Sequence, residues 1–214
     1  HATVTEYFSA ASWGELRVNM TATASSDMLA LNYSCADLAA DAYDGVMAAA
    51  VAGASAKGYD PSAADTLGVV FPYCSTLGWS GLGYVGYDGY WINTGGGGYW
   101  YDAATIAHEI GHNYGANHAS DRMVEYGNIY SVMGDAGLPE GQFLTVGKEV
   151  VDWVGEGQIA HAVAPADAAL CVAASCAVGG GTFTLQATDT GTLDPNRFVA
   201  LRIYTPVEDW YYYV

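Results

Sequence analysis

The sequence predicts an α+β fold. Three observations lead there. An Ala-rich run without internal proline, Ala36 to Lys57, reads as a long helix. A β-branched and apolar run, Thr66 to Tyr73, reads as a buried strand. Near residue 156 the texture changes, and short strand-like runs then alternate with Gly, Pro and Asn turns. That change divides the chain into residues 1–156 and a β-rich segment, 157–214. A chain of 214 residues buries roughly 70% of its unfolded surface. With 51% hydrophobic and 14% charged residues, the composition excludes disorder.

In chain order, residues 3 to 11 read as a short helix, and Glu15 to Thr23 alternates polar and apolar residues as a strand does. The Ala-rich helix ends near Gly58, ahead of Pro61. After the buried strand, glycine and aromatics interleave from Gly78 to Asn93. There Tyr84-Val85-Gly86-Tyr87 and Tyr90-Trp91-Ile92 read as one or two Gly-interrupted strands at a sheet edge. Four successive glycines, Gly95 to Gly98, make a loop, and Tyr101 to Tyr114 is helical with Asp102 as its N-cap. Past Gly115 the chain is loop-rich until a helix over Thr145 to Val154, ending at Gly155. Thr182 to Leu185, Phe198 to Tyr204 and Trp210 to Val214 read as three strands.

Six Lys and Arg against 23 Asp and Glu leave a net charge of −17, which repels nucleic-acid phosphates and anionic membranes. No apolar run is long enough for a transmembrane helix. The acidity serves solubility in a saline or extracellular setting; calcium binding by the loop Tyr59 to Asp65 is the sharper alternative, though its spacing matches no EF-hand. Four cysteines permit three pairings in an oxidising compartment, among which Cys35 with Cys74 and Cys171 with Cys176 is favoured; four free thiols are the other reading. A chain opening at His1 reads as a mature secreted form after removal of upstream segments, and Asn19 and Asn32 head formal glycosylation sequons.

The chemistry concentrates in His108-Glu109-Ile110-Gly111-His112-Asn113-Tyr114-Gly115-Ala116-Asn117-His118. Residues four apart stack on one helical face, so His108 and His112 can offer two imidazoles to one ion, with Glu109 beside its open position. Gly115, able to take positive φ, turns the chain so that His118 returns as third ligand. Three neutral imidazoles leave the fourth tetrahedral position of a zinc ion for water, the arrangement of catalytic sites, and Glu109 is the base that activates it. Chance recurrence of five such positions is on the order of 10⁻⁵. His1 and His161 have no comparable context and read as ordinary surface or loop residues.

At these residues the chain resembles the metzincin metallopeptidases, marked by that extended motif and a methionine turn; Ser131-Val132-Met133-Gly134 matches the second mark. HEIGHNYG, Glu125-Tyr126-Gly127-Asn128 with SVMG, and Lys148 to Trp153 are similar to the gametolysin family. The resemblance implies a twisted mixed sheet with two long helices over 1–156, a small lower subdomain, and Met133 as an apolar floor beneath the metal. It also implies a substrate extended along an edge strand, here within residues 82–92, and a pocket lined by Asp135 to Pro139. Asp135 stands where related enzymes carry a tyrosine ligand, leaving Tyr126 or Tyr130 to assist the oxyanion.

The function expected is that of a secreted, monomeric zinc endopeptidase acting on protein or peptide substrates, with no nucleic-acid or membrane partner. A zinc-containing adhesion module without turnover and a zinc hydrolase of non-protein substrates are the competing readings; Glu109 argues against the first of these.

Overall fold

The computed structural model describes residues 3–40, 42–95, 103–121, 124–135, 141–171, 176–188, 192–205, 207 and 211–214. The expected N-cap Asp102, most of the glycine run and residues 136–139 of the expected pocket lie outside these. Helices and mixed sheets make an α+β protein in two compact units, His1–Phe8 with Arg17–Gly141 and Ser9–Leu16 with Gln142–Val214.

Helix α1, Val4–Ala11, opens with Thr3 and Glu6 each bonding the other's backbone N–H, at 3.1 and 2.8 Å. Glu15 to Thr23, where alternation predicts a strand, pairs with no strand among the described residues and is mostly exposed. Alternation supplies an apolar face, but a strand also needs a ladder partner.

The Ala-rich run is two helices, not one: α2, Cys35–Ala39, and α3, Tyr43–Ala56. Ser34 and Asp37 form a capping box at the start of α2, a disulfide ties Cys35 to Cys74, and Leu38 enters the core. Alanine favours helix without specifying its direction, and these tertiary ties orient the first turns separately from α3.

Strands β1, Gly68–Pro72, β2, Gly81–Gly83, and β3, Tyr90–Thr94, form a sheet ordered β1-β3-β2, with β1 parallel and β2 antiparallel to β3. Tyr84 to Gly89 is the connecting turn, not the strand expected there, and β3 is central. The edge within the expected 82–92 stretch is therefore β2 alone. Trp91, fully buried, anchors a core with Leu38, Val46, Cys74 and Leu77, and stacks edge-on with Tyr84 at 5.0 Å. Leu82 pairs with Trp91 and joins this core, so Gly81, Gly83, Tyr90 and Ile92 share the opposite face. Helix α4, Ala103–Asn113, packs on that face.

In the second unit, helix α5, Thr145–Val150, is shorter than expected, its chain turning where Asp152 takes φ +59°. Strands β4, Ile159–Val163, β5, Cys176–Val178, β6, Ala200–Tyr204, and β7, Tyr211–Tyr213, make a sheet ordered β5-β4-β6-β7. β4 lies parallel to both neighbours and is buried throughout, so it lacks the alternation that marks a half-buried strand. Leu185 makes only an isolated bridge, to Phe198. His161 is wholly buried on β4, correcting its reading as a surface residue: Nδ1 faces the Tyr204 hydroxyl at 3.1 Å and Nε2 faces Glu156 at 3.0 Å. Arg202 bonds Glu149, Glu156 and Tyr213, so this buried cation is matched by carboxylates. A second disulfide joins Cys171 to Cys176.

Candidate metal centre

α4 carries the motif because its sequence supplies a helix with one end fixed. Asn113 donates to the Tyr84 and Gly89 carbonyls at 3.1 and 2.9 Å and accepts from the Thr66 hydroxyl at 2.7 Å, clipping the last turn to the sheet. Gly115 then takes φ +98°, its N–H bonds the His112 carbonyl at 2.8 Å, and the Ala116 N–H bonds the Gly111 carbonyl at 3.1 Å. This is the paired bonding of a Schellman stop, possible without strain because glycine has no Cβ to clash in the left-handed region.

The reversal brings His118 back toward the helix. Ring centroids lie 4.7 Å apart for His108 and His112, 4.8 Å for His112 and His118, and 5.4 Å for His108 and His118. One ring nitrogen from each lies within 4.8 Å of the others, an arrangement that could hold a metal ion. His108 and His112 are buried; the His118 side chain is 26% exposed.

Each ring has its Nδ1 engaged: His108 with the Val132 carbonyl at 2.6 Å, His112 with the Ala116 carbonyl at 2.7 Å, and His118 with the Glu125 carboxylate at 2.7 Å. Carbonyls and carboxylates only accept, so each Nδ1 carries the hydrogen, and in the neutral ring it is Nε2 that keeps the lone pair. Three such imidazoles suit a borderline cation such as zinc, and the acceptors behind them are the outer contacts that fix ligand tautomers in metal sites.

Electrostatics agree with that state. Burial pushes the His108 imidazole down to about 4, with the neighbouring histidines adding to the effect, and burial also lowers His112. Both are neutral and able to ligate at pH 7. Glu109 is 4% exposed, and burial raises its carboxyl to about 8. A divalent cation beside it favours the ionised form. The carboxylate lies against the backbone of Gly81 on β2.

Of the residues singled out in the sequence, His108, Glu109, His112 and His118 come together with Gly115 at the turn. Met133 is buried, and the carbonyl just before it orients His108, so the methionine turn touches the centre through its backbone. Tyr126 lies with its ring 3.8 Å from that of His118 and 5.9 Å from that of His108, whereas Tyr130 is 74% exposed. Burial, Glu125 and Glu109 together raise the Tyr126 phenol. Asp60, in the loop considered for calcium, accepts from the Ser62 N–H at 3.1 Å and its hydroxyl at 2.6 Å, capping the turn Pro61–Ala63. Sequence reasoning missed Glu125, Asn113 and the carbonyls of Ala116 and Val132 as parts of the centre. A carbonyl leaves no mark on residue identity, and Glu125 lies seven residues beyond the histidine it meets.

Residues 1–206 match the model of a protein family described as gametolysin peptidase M11. No curated protein and no solved structure matches the chain.

Proposed function

Because the chain belongs to the gametolysin peptidase M11 family of metallopeptidases, we propose that it is a secreted, zinc-dependent endopeptidase of the metzincin type, cleaving extracellular or cell-wall proteins. The observation that carries this is the set of three imidazoles, each with Nδ1 engaged and Nε2 free, beside a buried Glu109. Zinc is the ion that three neutral imidazoles with an open fourth position suit best, and there it supplies a water of pKa about 7 and a Lewis acid for the scissile carbonyl.

The protein's own residues do the rest. His108, His112 and His118 present the three nitrogens. Glu109 takes the water proton and passes it to the departing amine, and its burial raises its affinity for that proton. Tyr126, set against the ligand rings, is the tyrosine assigned to the substrate oxyanion. β2, the edge strand beside Glu109, offers backbone groups to an extended peptide. Met133 supports the floor, residues 1–156 form the catalytic domain, and 157–214 form a β-rich segment after it. The enzyme acts as a monomer. Two disulfides support an extracellular location, and no helix among the described residues is long and apolar enough to cross a membrane.

Casein cleavage decides the matter. It is expected to vanish with a chelator, return with added zinc, and vanish in Glu109→Ala. A protein that binds without cleaving would be an adhesion module, and one inert on peptides but active on cell-wall glycans would be a different hydrolase.

A further inference from the structure

His118 stands apart from the other two imidazoles in how it is held. His108 and His112 ride on α4 and face backbone carbonyls, whereas His118 follows the helix, is partly exposed, and faces a side chain. A loop ligand has no helix to aim it, so its orientation must come from its neighbours.

We propose that Glu125 is the positioning residue for His118, holding its Nδ1–H so that Nε2 meets the metal, with Tyr126 fixing the ring plane from one face. The Glu125 Oε1 to Nδ1 distance is 2.7 Å, and the Tyr126 ring centroid lies 3.8 Å from the imidazole. Tyr126 sits at φ +60°, a left-handed conformation unfavourable for a bulky residue and held only where surrounding structure imposes it. The segment is closed on itself: Asp121 and Val124 exchange backbone bonds at 3.1 and 3.0 Å, and the Asn128 N–H reaches the Ala119 carbonyl at 3.1 Å. Glu125 is thus carried on an anchored turn. Its side chain is 69% exposed, so solvent competes for it, which places its effect near the low end of the 10- to 100-fold typical of outer-shell partners.

The inference rests on the zinc reading above. The test is zinc affinity by chelator competition for the native protein, Glu125→Gln and Glu125→Ala, alongside thermal unfolding of the metal-free forms. Expected is about tenfold weaker zinc binding in Glu125→Ala, partial recovery in Glu125→Gln, whose amide oxygen still accepts, and unchanged metal-free melting temperatures. Native protein that binds zinc while Glu125→Ala binds it within twofold as tightly overturns this assignment alone. Native protein that binds no zinc overturns the assignment and the zinc reading together.

Discussion

Replacing Gly81 by alanine isolates the placement of Glu109 from everything else in the centre. A Cβ at Gly81 would lie 2.7 Å from Glu109 Cδ and 2.8 Å from Cγ, with Oε1 closer still, all well inside van der Waals contact. Each of these atoms belongs to the glutamate side chain, so relief comes by swinging the carboxylate away, without moving α4 or β2. A displacement near 1 Å in a reacting group costs about 10²-fold in rate, and complete loss of a general base costs about 10²–10⁴-fold. We therefore expect kcat on a quenched peptide to fall about 10²-fold, with KM nearly unchanged, zinc still bound, and the melting temperature within a few degrees of native. Gly83→Ala is the control. Its Cβ would lie 2.6 Å from the Glu109 carbonyl oxygen and 3.2 Å from the carbonyl carbon, so the backbone itself must yield and stability should drop by about 1–3 kcal/mol. A Gly81→Ala protein that keeps zinc and loses less than threefold in kcat would refute the claim that this carboxylate must stand where it does.

Metal-free protein should show opposed pH limbs. Glu109, raised to about 8 from 4.5, is protonated in the native state where the unfolded chain has released its proton, so stability falls as pH rises between these values. His108, lowered from 6.5 to about 4, makes stability fall as pH drops below 6.5. Between about 4.5 and 6.5 Glu109 offsets His108 while His112, also lowered, keeps an acid-side loss, and from 6.5 to 8 an alkaline decline remains that Glu109→Gln removes in melting curves; a decline that survives the substitution belongs to another group. Proteolysis itself should be lost at about pH 4, where protons compete with the metal for imidazole, and undiminished turnover there contradicts a three-histidine site. Tyr126→Phe should lower kcat by about 10²–10³-fold with zinc affinity kept, whereas equal activity removes the phenol from the mechanism. Of the disulfides, Cys35–Cys74 closes 39 residues and Cys171–Cys176 only 5, so replacing the first pair should destabilise by about 4 kcal/mol and the second by about 2, read from denaturant midpoints. The reverse order would show that loop closure is not what these bonds contribute.

What the chain's sequence determined by itself is local. The four-residue interval between His108 and His112 sets two imidazoles on one helical face, and Gly115 sets the turn that returns His118, since both follow from backbone geometry within a few residues. The helix over Val4–Ala11, a strand within Thr66 to Tyr73 and the α+β class are legible for the same reason, although that strand is partly exposed at a sheet edge and not buried as its apolar run suggests. Tertiary structure decided whatever depends on distant partners. Glu15 to Thr23 alternates yet finds no ladder among the described residues, and the alanine run divides where a disulfide and a buried leucine orient its first turns. His161 is buried because β4 lies between two parallel strands. At the centre, the acceptors that choose each histidine's tautomer are two backbone carbonyls and a glutamate on a separate turn. Carbonyls are common to every residue, so only folding, which brings remote segments within bonding distance, selects the ones that serve.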